Sequence, residues 1–384
     1  MRRVACVDDL RTLARRRVPR MFFDYVDGAA WTESTHIANG EDLAKIKLKQ
    51  RVAVDVSRRS ARSTLLGEQV RIPLAMPPAG LTGVIWPNGE ILAMRACEDF
   101  GVPYCLSTVS ITSLEDLARA ASKPFWFQLY FIRDRDFIER LILRAEAAGI
   151  KTLVVTLDLQ LVGQRNRDIR NGLSSPPKPT LGNIADLIRR PAWCWAMMRY
   201  RNAQFGNLHG HVRDLGDGKS LAQWTDEQFD PTLTWDDVQR LRDRWKGKLV
   251  LKGVLAPEDA EHALRVGADA IIVSNHGGRQ LDGAPSTIEV LPSVVKVVDG
   301  RCAVMVDSGF RSGQDVFKAL AFGAQGVLMG RALLYGLGAG GQAGVKKALD
   351  MVRHELEVTM GLCGVNSIDD IGPHNIYRTP TDTP

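Results

Sequence analysis

The sequence predicts an α/β chain folded as a (β/α)8 TIM barrel, with an N-terminal helical extension and a long insertion after strand four. Three observations predict it. Eight short apolar runs recur along the chain, each followed by a stretch of helical periodicity. The runs are continuous rather than alternating, as in strands buried on both faces. The 384 residues, 45% hydrophobic and 24% charged, suit one such barrel with insertions and a large core. A doubly wound open sheet is the alternative, but regular units without an early GxGxxG motif favour closure.

Taken in order, residues 1–71 form an N-terminal cap of helices and a short β segment. The barrel spans 72–364, and residues 365–384 are a C-terminal tail, all within a single domain. Its first four strands are "IPLAMPPAG" (72–80), "YCLST" (104–108), "FWFQLY" (125–130) and "LVVTLD" (153–158). The last four are "LVLKGV" (249–254), "AIIVSN" (270–275), "AVMVDS" (303–308) and "GVLMGR" (326–331). Helical stretches such as "RDFIERLILRAEAAG" and "APEDAEHALRVGA" lie between them, closed by glycine. Residues 159–233 interrupt the fourth unit, and a loop this long in a barrel is usually functional.

Charge is unevenly spread. The net +6 conceals seven arginines against two aspartates in residues 1–20, and nine Lys/Arg against two Asp in 163–213. The rest of the chain is net negative, which argues against a nucleic-acid partner and for local basic surfaces facing anionic lipid or substrate. Six scattered cysteines without a CxxC pair suggest neither a zinc site nor a disulfide framework. The start lacks the apolar core of a secretory signal, so a cytoplasmic location is expected. Within the insertion, "DLIRRPAWCWAMMRYR" (186–201) combines tryptophans and methionines with flanking arginines. It is too short to span a bilayer and suits either a membrane interface or the protein's own surface.

In such barrels reactive groups gather at the C-terminal ends of strands. Those ends read Pro78-Ala79-Gly80, Ser107-Thr108, Gln128 with Tyr130, Thr156 with Asp158, Lys252, Ser274-Asn275-His276, Asp307 through Arg311, and Gly330-Arg331. Each has a structural explanation by itself; eight polar or backbone-permissive ends together indicate a site. Gly309, Gly330, Arg311 and Arg331 follow strands seven and eight, the usual barrel phosphate position. Gln128, Thr156 and Ser107 can bond the edge of a conjugated heterocycle, and Lys252 can stabilise negative charge on it. His276 with Asp158 gives a general base oriented by a carboxylate. Arg279, three residues on, can clamp a substrate carboxylate.

The run "SNHGGRQLDG" (274–283) resembles the active-site signature of the FMN-dependent L-2-hydroxy acid dehydrogenase/oxidase family. The resemblance extends from "MFFDYVDGAA" (21–30) through residue 364 and is nearest in pattern to the bacterial respiratory, quinone-linked L-lactate dehydrogenases. It implies FMN as cofactor, no metal, a homotetramer, and oxidation of an L-2-hydroxy acid, with L-lactate and quinone expected. By resemblance His276 is the base, Asp158 its partner, and Arg279, Arg165, Tyr25 and Tyr130 bind and orient substrate. Pro78, Ala79, Gly80, Ser107, Gln128, Thr156, Lys252 and Ser274 surround the isoalloxazine. Asp307, Gly309, Arg311, Gly330 and Arg331 hold the ribityl phosphate. Gly80 follows the dehydrogenases, where oxidases typically carry Ala, and Val109 replaces a tryptophan found in some oxidases. The inserted "RRPAWCWAMMRYR" resembles the membrane-associating segment of the dehydrogenase branch, so attachment to the inner face of the membrane is expected. The alternatives are an L-mandelate or other 2-hydroxy acid dehydrogenase, an O2-using oxidase and, from another class, an FMN-barrel isomerase.

Overall fold

The computed structural model describes residues 3–173, 180–200, 205–208 and 228–377. Three helices lead, α1 (Val7–Arg17), α2 (Arg20–Asp27) and α3 (Ser34–Lys45), followed by a hairpin of β1 (Ser63–Leu65) and β2 (Glu68–Val70). The first half-barrel runs β3 (Leu74–Ala75), α4 (Thr82–Ile85), α5 (Gly89–Phe100), β4 (Cys105–Ser107), α6 (Leu114–Ala120), β5 (Trp126–Tyr130), α7 (Arg135–Ala147) and β6 (Thr152–Thr156). The insertion contributes α8 (Asn166–Arg170), α9 (Leu181–Ile188) and α10 (Pro191–Met198). Then come α11 (Trp235–Arg244), β7 (Lys248–Val254), α12 (Pro257–Val266), β8 (Ala270–Val273), α13 (Thr287–Val298), β9 (Ala303–Val306), α14 (Gly313–Ala321), β10 (Gly326–Leu328) and α15 (Arg331–Leu362).

The eight strands β3–β10 pair in parallel in the order β3-β10-β9-β8-β7-β6-β5-β4. A parallel bridge between Met76 and Tyr104 joins the two end strands and closes the ring. All eight expected strands therefore form, in the expected order. Inside the ring, Ala75, Cys105, Trp126, Val154, Val250, Ile272, Met305 and Leu328 are buried together with Leu65 and Val70 of the hairpin. The β1–β2 hairpin thus plugs the N-terminal end, pinned by Trp126 Nε1 donating to Glu68 at 3.2 Å. Each fully buried large side chain stabilises by roughly 1.5–3 kcal/mol, so this end is a structural floor. The opposite end is where polar residues collect.

The tail is anchored as far as residue 377: Ile376 bridges Leu48, and Ser367 bridges Ser60. Residues 205–208 of the insertion fold back onto the end of β4. Asn207 is fully buried there, accepting from Leu114 N and donating to the carbonyls of Ser107 and Thr108. Residues 174–179, 201–204 and 209–227 of the expected insertion lie outside the described residues.

Candidate active site

At the C-terminal end of the barrel lies a cavity of about 420 Å³. Its wall includes Tyr25, Pro78, Ala79, Gly80, Tyr130, Thr156, Arg165, Lys252, His276, Arg279, Asp307, Gly309, Arg311, Gly330 and Arg331. Four of the residues expected at the site are off this wall. Ser107, Gln128 and Ser274 are buried, and Asp158 stands behind His276.

The chain brings His276 to the wall by an unusual turn. After β8, three successive residues are left-handed: His276 (φ 57°), Gly277 (68°) and Gly278 (75°). For a histidine this costs about 1–2 kcal/mol. Hydrogen bonds offset it: His276 N donates to Ser274 Oγ at 3.1 Å, Gly277 N to Ser308 Oγ at 2.9 Å, and Gly278 N to Asn275 Oδ1 at 3.1 Å. A side chain at either glycine would be strained by the positive φ, and a Cβ would lie 2.6 Å from His36 N at Gly278 and 2.5 Å from an Arg331 nitrogen at Gly277.

His276 Nδ1 meets Asp158 Oδ1 at 2.9 Å. Burial works against ionisation of Asp158, but His276 and Lys252 outweigh it and hold the carboxyl below its ordinary pKa. The carboxylate therefore takes the Nδ1 proton as a hydrogen bond and leaves Nε2 as the basic nitrogen. Gln280 fixes the surroundings, donating to the carbonyls of Asp158 and Leu161 at 2.8 Å each. Lys252 is buried between Ser274 Oγ (2.8 Å) and Asp307 Oδ2 (3.2 Å). Desolvation lowers its pKa, yet Asp307 and Asp158 dominate, so it is kept charged.

On the other side of the cavity two guanidinium groups share one aromatic ring. Arg279 lies 4.8 Å and Arg165 5.5 Å from the ring centre of Tyr25. Burial and then Arg165 push the pKa of Arg279 down, the sign of a cationic pair that gains from an anion. Arg165 pairs with Asp168 at 2.8 Å. Asp168 was missed from sequence; it sits three residues from Arg165 on α8, a spacing that also reads as a surface pair. Tyr130 packs edge-on against Phe229, with ring centres 5.4 Å apart, and burial raises its hydroxyl pKa, reinforced by Asp158. Val109, Leu159, Val162, Phe205 and Phe229 make an apolar wall beside it.

Among the buried polar atoms without a protein partner are Gln128 Nε2 and Thr156 Oγ1, both at this end of the barrel. Such groups are costly without a hydrogen bond. Flat polar edges of a heterocycle would satisfy them, with the Lys252 ammonium nearby and Arg311 and Arg331 at the far end for a phosphate. These donors fit a flavin mononucleotide. Arg331 already donates to the carbonyls of Val26, Gly277 and Gly28, which uses three of its five N–H groups and leaves two for a ligand.

The profile of the FMN-dependent dehydrogenases matches residues 14–378. The chain belongs to the FMN-dependent dehydrogenase family. It is an oxidoreductase, and FMN is its cofactor. The chain is 45% identical to the L-lactate dehydrogenase of Caulobacter sp. (strain K31), over 98% of this chain and 99% of that one. With the L-lactate dehydrogenase of Stenotrophomonas maltophilia (strain K279a) it shares 42% identity over 98% and 100%. Among solved structures, the monotopic membrane protein (S)-mandelate dehydrogenase superposes with a TM-score of 0.92 at 37% identity, covering 98% of this chain and 100% of that one. The family assignment agrees with the resemblance read from "SNHGGRQLDG", and the structure places that run at the mouth of the barrel.

Proposed function

We propose that this FMN-dependent enzyme oxidises an L-2-hydroxy acid to the 2-oxo acid, with L-lactate as substrate and a membrane quinone as electron acceptor. The observation that carries the reading is the pairing of His276 with Asp158 across one cavity from Arg279, Arg165 and Tyr25. A 2-hydroxy acid needs both poles, a base at the carbinol and a clamp on the carboxylate. Oxidation of this type of substrate is supported by relatives named for lactate and a neighbour named for mandelate.

In this mechanism Arg279 and Arg165 hold the substrate carboxylate, and Tyr25 and Tyr130 orient the hydroxyl. His276 Nε2 receives the proton that leaves the substrate, from the hydroxyl in a hydride route or from Cα in a carbanion route. Asp158 stabilises the imidazolium that results. FMN, when bound, supplies the two-electron acceptor. Pro78, Ala79, Gly80 and Thr156 would flank its ring system, with Ser107, Gln128 and Ser274 behind. Lys252 would face the end where negative charge develops. Asp307, Gly309, Arg311, Gly330 and Arg331 would hold the ribityl phosphate.

The acceptor and the location rest on α9 and α10. Leu181, Ile188, Trp195 and Met198 are exposed there, beside Arg189 and Arg199, and Arg199 stacks on Trp195 at 4.4 Å. Apolar residues ringed by arginine suit an anionic lipid interface. Among the described residues no helix is long and apolar enough to cross a membrane. The arm is rooted at the cavity, since Trp193 stacks on Phe22 at 5.3 Å and donates to Val84 O at 3.1 Å. Phe22 and Val84 both line the cavity wall. Peripheral attachment to the inner membrane face and assembly as a homotetramer belong to the same reading.

A second reading, a bulkier substrate such as L-mandelate, is favoured by the apolar wall of Val109, Leu159, Val162, Phe205 and Phe229. One experiment separates them. The holoenzyme is mixed anaerobically with L-lactate, glycolate or L-mandelate and the flavin absorbance is followed; air or a quinone analogue is then admitted. Fastest bleaching by L-lactate, with faster reoxidation by the quinone, is expected. No bleaching by any of the acids would overturn the function.

A further inference from the structure

The turn that presents Tyr25 is held by more charge than its position requires. Asp27, two residues on, is 3% exposed, and three side chains from three distant elements converge on its carboxylate with four hydrogen bonds. Arg11 of α1 donates twice, at 2.6 and 2.8 Å. Arg167 of α8 donates at 3.0 Å, and the hydroxyl of Tyr335 on α15 at 2.7 Å. The backbone of the same turn is gripped from the cavity side. Arg279 donates to the carbonyls of Tyr25 and Gly28, and Arg331 to those of Val26 and Gly28. Tyr335 also reaches the phosphate end, where Arg311 lies 5.7 Å over its ring.

One buried carboxylate is therefore linked, through its neighbours, to both halves of the site. Through the turn it sets Tyr25 and the guanidinium of Arg279. Through Tyr335, whose ring lies 5.7 Å from Arg311, it reaches the phosphate end. A fully paired charge buried this deeply is costly to assemble, and removing one partner strands the others. Satisfied polar networks of this kind fix one geometry where apolar packing tolerates several.

We propose that Asp27 is a positioning residue that ties the carboxylate clamp to the phosphate end of the cofactor site, so that FMN loading and acid binding are coupled through it. The proposal rests on the functional reading above. Burial opposes ionisation of Asp27, but Arg11 and Tyr335 hold its carboxyl far below the ordinary range, so it acts as a fixed charge at every working pH.

The test uses full-length protein stripped of flavin and reloaded. Asp27→Asn keeps the shape and loses the charge. Tyr335→Phe removes the hydroxyl that bonds Asp27 and keeps the ring beneath Arg311. Affinities for FMN and for riboflavin, which lacks the phosphate, are read by flavin fluorescence, and that for oxalate, an unreactive carboxylate, by the flavin spectrum. Asp27→Asn is expected to weaken both FMN and oxalate by about tenfold, the size of one charge-assisted hydrogen bond, with riboflavin affinity unchanged. Tyr335→Phe should lower the preference for FMN over riboflavin severalfold and leave oxalate within about twofold. A lowered melting temperature with both affinities and the FMN preference unchanged would show a purely structural Asp27 and overturn the coupling. Should Asp27→Asn not fold, Arg167→Gln and Tyr335→Phe each remove one partner of Asp27 in its place, and unchanged affinities in both overturn it equally. If oxalate fails to perturb even the wild-type flavin, the functional reading falls, while the FMN-to-riboflavin preference still decides the cofactor arm.

Discussion

The barrel mouth and the α9–α10 arm break the ordinary burial pattern in opposite directions. At the mouth, charged groups are buried: Lys252, Asp307, Asp27 and Arg331 are each under a tenth exposed, and each has protein partners. On the arm, apolar groups face outward, with Leu181 at 86% and Ile188 at 75% exposure. The mouth achieves pre-organisation by pairing its buried charges within the protein. The arm leaves apolar surface exposed, which would gain from burial against a partner such as the proposed membrane. The contrast teaches that the two regions should fail separately: damage at the mouth should remove chemistry, and damage on the arm should remove attachment.

The largest effect should come from the base. His276→Gln keeps a polar side chain and removes the proton acceptor, so kcat should fall by about three orders of magnitude. FMN content should stay normal. Near-wild-type turnover measured with a soluble dye would sink the assignment. Asp158→Asn follows. An asparagine can present its NH2 to Nδ1, which would place the imidazole proton on Nε2 and leave no basic nitrogen toward substrate. A loss of roughly a hundredfold or more in kcat, with less change in KM, is expected from steady-state kinetics.

The arm is tested by replacing Ile188, Trp195 and Met198 together with serine. Each large apolar side chain is worth roughly 1.5–3 kcal/mol on full burial. Sedimentation with anionic vesicles should therefore show binding weakened at least about tenfold, while turnover with a soluble dye is unchanged. A variant that loses both together would break the comparison. Gly80 offers a smaller probe of the mouth. A Cβ there would lie 2.8 Å from Val109 Cγ2 and 3.6 Å from Tyr25 Oη, so Gly80→Ala must push Val109 aside. A severalfold rise in KM for L-lactate is expected, since strained substitutions of this size cost about 1–3 kcal/mol. An unchanged KM would show that Val109 yields freely.

Much of the mouth was legible in sequence because parallel strands are continuous apolar runs, and a polar residue at the end of such a run stands out. His276, Lys252 and Asp307 were visible for that reason, and the structure places them on one cavity wall. The insertion's "RRPAWCWAMMRYR" was visible by composition, and its exposed Trp195 and Met198 agree with that. Residues whose partners lie far along the chain gave no such signal. Asp27 is bonded across 308 positions to Tyr335, and Asn207 across 93 to Leu114 N. Both sit in irregular or short segments where periodicity says nothing about which polar side chain turns inward. Gln280 is the intermediate case: it lies inside the signature run, yet its role, bracing Asp158 and Leu161, appears only when the two loops are seen together.

Asp282 supplies the smallest effect and the sharpest sign. Helix α3 begins after Glu33, whose own side chain makes no cap. The missing cap comes from Asp282 in the loop after β8, which accepts from Thr32 N at 2.9 Å, Ser34 Oγ at 2.8 Å and Thr35 N at 3.1 Å, as well as from the Thr32 hydroxyl. Burial raises its pKa, but the bonds from Thr32, Ser34 and Thr35 prevail and hold the carboxyl well below the ordinary range. A depressed folded value means that the stabilisation is complete above the unfolded value of about 4 and is lost as pH falls below it. Asp282→Ala should thus cost about 1 kcal/mol at neutral pH, the usual worth of a cap, and the gap from wild type should shrink as denaturation is measured at progressively lower pH. Because the same carboxylate fastens the loop that carries His276 to the N-terminal cap that carries Tyr25, the variant should also loosen the mouth without touching the arm. A gap that widens on acidification would mean that Asp282 is not the charged cap the geometry implies.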